Sequence, residues 1–178
     1  LIEHHYRIEV SIGLGIPEDA AEYTLHIISH ECNNQISLAT EDLFDHMNGS
    51  SVPAGSEIDE FELAGLKPQI GKFVSAPFVS EAAAALECTH WKTIDLPNVD
   101  RKTGKGNYVI FGQVVGIYIN DKFIKDGLFN ASAARPLVRL GYMDYGVVGL
   151  ENTFTKNRPK LGKDGKLEPV KEWDGIYR

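Results

Sequence analysis

A chain of 178 residues with 43% hydrophobic and 24% charged side chains has the length and composition of one globular domain that buries its own core. The net charge of −7 opposes nucleic-acid binding, which needs clustered Lys and Arg, and no apolar run approaches the length of a membrane span. Two cysteines, Cys32 and Cys88, are too few for a disulfide framework, and residues 1–15 show no basic n-region or cleavage pattern, so a reduced cytoplasmic setting is expected.

Tyr6, Ile8, Val10 and Ile12 alternate with polar residues, the period of a half-buried strand, until Gly13, Gly15 and Pro17 break it. Ala21, Leu25 and Ile28 then follow helical spacing, and that helix ends near Cys32. Ile36 and Leu38 mark a short strand in Asn33–Ala39. Thr40, with Glu41 and Asp42 behind it, predicts a second helix with an N-cap hydroxyl and acids at its positive end; Leu43, Phe44 and Met47 are its apolar stripe. Residues 48–72, rich in Gly, Ser and Pro around Phe61, Leu63 and Leu66, read as an ordered excursion.

A long hairpin follows, from Ala82 through a turn at residues 100–107 to Tyr108–Ile119, the strongest strand in the sequence. Val109, Phe111, Val115 and Ile117 are expected on its buried face, with Gly112 and Gly116 where the sheet curls. Asp126-Gly127 is a turn, Asn130–Ala134 a helical turn stopped by Pro136, and Tyr142–Val148 a last strand. The pattern predicts a mainly β antiparallel barrel with α additions over residues 1–150. Residues 151–178 read as a C-terminal basic tail, extended or poorly ordered unless it docks on a partner, with wrapping of a partner subunit as the expected use.

Isolated signals for chemistry are sparse. His26 and His30, four apart with Glu22 a turn earlier, share a helix face, but two spaced histidines read as a solvated surface and no metal is expected. Gly13-Leu14-Gly15 lacks the third glycine of a dinucleotide fingerprint, because Glu18 stands there. Cys88, beside Leu86, reads as a small buried thiol.

Three stretches acquire meaning together. Met47-Asn48-Gly49-Ser50-Ser51 with Asp59-Glu60-Phe61-Glu62-Leu63-Ala64-Gly65-Leu66 resembles the loop after the second helix of flavin reductase-like proteins. Ala85-Leu86-Glu87-Cys88, then Gly104-Lys105-Gly106-Asn107 and Gly112-Gln113-Val114-Val115-Gly116, is similar to that family's central hairpin. Arg135-Pro136-Leu137-Val138-Arg139-Leu140-Gly141-Tyr142-Met143-Asp144-Tyr145 resembles its C-terminal signature. The resemblance runs in order from about Leu38 to Arg158. It implies a six-stranded Greek-key split barrel, here incomplete at the N-terminus, working as a homodimer with FMN near the interface. The implied activity is hydride transfer from NADH or NADPH to flavin, with chemistry supplied by the cofactors and position by the protein. A partner monooxygenase that receives the reduced flavin belongs to the same expectation.

The family's Asn-Leu-Ala-Pro-like flavin motif has no counterpart here. Where its Lys-Asp-Thr-like triplet grips the FMN phosphate, this chain offers Pro17-Glu18-Asp19 or Glu22-Tyr23-Thr24. The site expected from the resemblance is Ser11 and Gly13 along the flavin, Thr24 at the phosphate, Asn48 at the rim, and Arg139, Tyr142 and Tyr145 from the C-terminal signature. Each has a plainer reading beside it. Asn48 is an Asx-turn residue or a rim contact; Arg139 pairs with phosphate or with a carboxylate across the dimer; Tyr145 stacks near the ring or packs in the barrel. Two alternatives to the reductase stay open: an FMN-binding electron carrier or sensor, and a cofactor-free barrel acting as an interaction module.

Overall fold

Strand β1 (Asn33–Ser37) lies antiparallel to β4 (Ala84–Leu96), with Gln35 opposite Glu87 and Ser37 opposite Ala85. β4 in turn pairs with β5 (Asn107–Ile119), giving a three-stranded sheet in the order β1-β4-β5. β5 is rich in β-branched and aromatic residues, which suit a pleated, half-buried surface, and β4 carries Thr89, Trp91, Thr93 and Ile94. The computed structural model describes residues 33–52, 54, 55, 57–96 and 107–172. The first strand and first helix expected from sequence, and most of the 100–107 turn, lie outside the described residues. No helix among the described residues is long and apolar enough to cross a membrane.

Between β1 and β4 the chain makes the expected excursion. Helix α1 (Phe44–Gly49) follows a 3-10 turn at Glu41–Leu43, and α2 (Glu60–Leu63) is capped by the Asp59 carboxylate, which accepts the N–H groups of Phe61 and Glu62 at 2.8 and 3.4 Å. His46 Nδ1 sits 2.7 Å from the carbonyl of Ala64, tying α1 to the end of α2. The Thr40 cap expected from sequence is not made. Its hydroxyl donates to the Asp42 carboxylate, which competes with the backbone for the same short side chain. Leu63, expected in the apolar knot, is half exposed. Strands β2 (Pro68–Ile70) and β3 (Pro77–Val79) then form a ribbon that β1 sews to the sheet. Gln35 Nε2 donates to the carbonyl of Ala76 at 2.8 Å, and Ser37 Oγ accepts the N–H of Val79 at 3.0 Å. Phe78, in β3, is buried with its ring 4.7 Å from that of Tyr118, and Val74, Ala82, Ala83, Ala85 and Cys88 are buried as well.

One charged group sits in that layer. Glu87 is only 4% exposed, and its carboxylate accepts N–H groups from Lys72, Phe73 and Val74 at 3.1, 2.7 and 3.1 Å. Burial alone would raise its pKa; the three backbone donors and the nearby Lys72 charge outweigh that and hold it below the ordinary 4.5. Two glycines leave the room. A Cβ on Gly71 would stand 2.3 Å from Glu87 Oε2, and one on Gly116 would stand 2.4 Å from the Phe73 ring and 3.0 Å from Glu87 Oε1.

The register explains a failed expectation. Glu87 faces Gly116 while Cys88 faces Val114, so Val115 is an extra residue in a β-bulge; Trp91 is the extra residue in a second bulge, between His90 and Lys92. Alternation therefore breaks inside β5. Val115 and Ile117, expected in the core, are 39% and 58% exposed, whereas Gly116 is buried.

Past the sheet, a two-residue hairpin, β6 (Ile124–Lys125) and β7 (Leu128–Phe129), turns at Asp126-Gly127 as expected. Helix α3 (Ala131–Ala134) is capped by Asn130 and stops before Pro136. β8 (Leu137–Gly141) and β9 (Asp144–Val147) form a hairpin; only its second strand was legible, and Tyr142 belongs to the turn. Beyond the 3-10 turn at Leu150–Asn152, the described residues 153–159 form no helix or strand, and a small ribbon follows, β10 (Lys160–Leu161) with β11 (Leu167–Glu168).

Two outcomes follow. Glu87→Gln places an amide N–H against backbone donors and should cost about 2 kcal/mol, a Tm drop of roughly 4–8 °C at pH 7. Because the folded pKa is lowered, the wild-type advantage is complete above 4.5 and closes as pH falls through the lowered value; equal Tm values at pH 7 would remove the role assigned to this carboxylate. Gly116→Ala should destabilise by about 1–3 kcal/mol through overpacking, while Val115→Asp in the bulge should stay within about 1 kcal/mol of wild type in thermal denaturation.

Candidate functional site

The hairpin β8–β9 brings two of the expected residues together. Arg139 and Tyr145 are direct cross-strand partners, so their side chains leave the same face. The Arg139 guanidinium carbon lies 4.4 Å from the centre of the Tyr145 ring, within cation–π range. Phe44, first residue of α1, meets the same ring edge-on at 4.9 Å and 72°. Phe44 is thereby the residue that carries α1 to the cluster, and its place in the apolar stripe of that helix was the signal for it. Asn48 lies one turn further along α1, exposed, with its carbonyl accepting the Ser51 hydroxyl at 2.7 Å.

Tyr142 does not join the cluster. It occupies the turn with a positive φ of 48° and is 94% exposed, while its carbonyl accepts an N–H from Arg139 Nη2. Its ring points away because a side chain at the tip of a two-residue turn has no strand beside it. Ser11, Gly13 and Thr24 lie outside the described residues. Cys88 is buried, and burial raises its pKa, so the thiol reading holds and no thiolate is favoured there.

A second arginine shows by contrast what Arg139 has available. Arg135, in left-handed conformation at φ 52°, bonds Glu41 through Nε and Glu151 through Nη1 at 3.1 Å. Glu41 and Glu151 both titrate below the ordinary carboxylate range, Glu41 chiefly through this bond and Glu151 through its own backbone N–H and then Arg135. The same segment is stitched through the backbone: Glu41 N–H donates to the Arg135 carbonyl and Leu137 N–H to the Ala39 carbonyl, each at 3.0 Å. Arg135 is a fastener. Arg139, by comparison, makes no ion pair among the described residues, and part of its donor fork is uncommitted. That leaves an exposed cation resting on an aromatic ring, an arrangement able to receive a phosphate or carboxylate.

A cavity of about 110 Å³ opens beside this cluster's helix, lined by Ser37, Leu38, Ala39, Leu43, Met47, Ser50, Leu66 and Val79. It is mostly apolar, contains none of the expected site residues, and falls short of the roughly 300–1,000 Å³ of a typical cofactor pocket.

Comparison with known proteins agrees with this architecture. Residues 10–140 match the family model described as the flavin reductase like domain. An uncharacterized protein of Aquifex aeolicus (strain VF5) is 32% identical over 107 residues, covering 60% of this chain and 50% of its own, so the chain spans about half the length of that relative. Nitrilotriacetate monooxygenase component B from Bacillus cereus superposes with a TM-score of 0.66 at 22% identity, over 83% of this chain and 70% of that one. A structure from Shewanella frigidimarina NCIMB 400 described as a flavin reductase with split barrel domain gives 0.62 at 19% identity, over 84% and 75%. These likenesses give the fold, a mainly β split barrel with helical additions. The match over residues 10–140 settles the membership: the chain belongs to the flavin reductase-like domain family.

Proposed function

We propose that the protein is an FMN-dependent NAD(P)H:flavin oxidoreductase that acts as a homodimer. The observation that carries this reading is the convergence of Arg139, Tyr145 and Phe44 within a chain that matches the flavin reductase-like family over residues 10–140. These residues fit part of a flavin site: a cation without an ion pair among the described residues for the phosphate, and aromatic surface beside it. Thr24 would add a hydroxyl at the phosphate, Ser11 and Gly13 backbone along the ring, and Asn48 a rim contact. FMN, when bound, supplies the hydride acceptor, while the protein supplies orientation and charge. The likeness to a monooxygenase component supports a partner monooxygenase as consumer of the reduced flavin.

The phosphate grip is the weak part of this site, because Glu18, Asp19 and Glu22 crowd the candidate helix start with negative charge. FMN should bind with about micromolar affinity and weaken with salt, and riboflavin should bind nearly as well. Arg139→Ala should remove the remaining preference for FMN, leave riboflavin binding little changed, and lower NADH consumption with added FMN. Fluorescence-quenching titrations of both flavins at low and high salt check this. A second reading, the cofactor-free interaction module, is favoured by the acidic residues Glu18, Asp19 and Glu22 where the family grips the FMN phosphate. Absence of flavin absorbance in the purified protein together with no binding in the titration would select it.

A further inference from the structure

Among the described residues the polar contacts of the C-terminal ribbon are its own: Lys160 with Glu168 at 3.3 Å, Lys166 with Asp164 at 3.8 Å, Gly162 N–H to the Lys166 carbonyl at 2.7 Å, and Asn157 Nδ2 to the Lys171 carbonyl at 3.0 Å. Near its root, side chains tie it to the barrel through Arg135–Glu151 and through Asn152 Nδ2, which donates to the Val147 carbonyl at 2.8 Å, both at the 3-10 turn Leu150–Asn152. Phe154, Leu161 and Leu167 are 87%, 72% and 73% exposed. An isolated two-stranded ribbon is marginal in water, and Leu161 and Leu167 on it, like Phe154 on its approach, are left largely in solvent.

Charge indicates what covers it. Residues 153–172 carry six Lys and Arg against three Asp and Glu, in a chain whose net charge is −7. Residues 33–66 carry seven Asp and Glu and no Lys or Arg. Much of that negative charge gathers on the α1–α2 excursion, where Asp45, Glu57, Glu60 and Glu62 are exposed and make no ion pair among the described residues. The same excursion exposes Val52, Ile58 and Leu63. An apolar centre with a charged rim is the usual anatomy of a protein interface, and here the rims have opposite sign.

We propose that the ribbon of one copy docks in trans on the acidic α1–α2 face of a second copy, its apolar residues over Ile58 and Leu63 and its lysines against the carboxylates. This rests on the homodimer reading and names the surface that would join the copies. By two-fold symmetry each copy gives one arm and receives one.

The test uses zero-length carbodiimide cross-linking of the full chain, read by mass spectrometry, with light scattering on the same samples. In an equal mixture of unlabelled and ¹⁵N-labelled protein, about half of the ribbon-to-face links should join unlike copies, as a two-fold exchange requires. An arm-reversed variant (Lys156→Glu, Arg158→Glu, Lys163→Glu) and a face-reversed variant (Glu57→Lys, Glu60→Lys, Glu62→Lys) should each lose the links. Mixing the two variants should restore them, because each arm then meets an opposite charge only on the other variant. Links confined to like-labelled copies, or restored only when both sets of changes share one chain, would overturn the proposal in favour of an arm folded back on its own barrel. A dimer without ribbon-to-face links would overturn it while leaving the homodimer reading standing; a monomer at all concentrations would remove that reading too.

Discussion

Placing a carboxylate in a protein interior is unfavourable unless its oxygens are bonded on all sides. Glu87 meets that condition by taking three consecutive N–H groups of the segment Lys72–Val74, donors that the loop joining β2 to β3 would otherwise leave without strand partners. One side chain thus satisfies a loop and is satisfied by it. The consequences spread outward. The β2–β3 ribbon is held over the sheet from β1 by Gln35 and Ser37 and from β4 by Glu87, and Phe78 and Val74 are buried. Gly71 and Gly116 are required by the closeness of that packing, since a methyl group at either position would enter the carboxylate or the Phe73 ring.

The bulge at Val115 belongs to the same arrangement. By absorbing one residue, β5 brings Gly116 opposite Glu87, where lack of a side chain leaves space for Phe73 and the carboxylate. Regular pairing from Val114 onward would place Val115 there instead. The exposed Val115 and Ile117 are thus a consequence of how the polar clamp is accommodated, and the alternation of apolar residues along β5 is a poor guide to its buried face.

Two arginines four residues apart divide structure from candidate chemistry. Arg135 binds two carboxylates brought from Glu41 and Glu151, closing the seam between the first helical turn and the C-terminal segment. Arg139 closes its own turn through the Tyr142 carbonyl and lies on Tyr145, with no carboxylate beside it among the described residues. The residue types are identical; the difference comes from which neighbours the fold delivers. The candidate site is therefore assembled by a cross-strand pair and by the start of α1.

Local patterns in the sequence were sufficient for strand β1, the long hairpin, the Asp126-Gly127 turn and the stop before Pro136, because each depends on periodicity or on a turn residue acting over a few positions. The family resemblance, carried by ordered motifs, also singled out Arg139 and Tyr145. Glu87 stood in one of those motifs without its role being visible, since the donors that bury it lie 13–15 residues away in the chain. The loss of the Thr40 cap to Asp42, the outward turn of Tyr142 and the bulge at Val115 likewise escaped. Sequence by itself determined β1, the two long strands, the Asp126-Gly127 turn and the helical turn before Pro136, and the family to which the chain belongs. Only the tertiary structure decided which face of β5 is buried and which arginine is left with an uncommitted charge, because both depend on a three-dimensional balance of carboxylates and donors that no local spacing records.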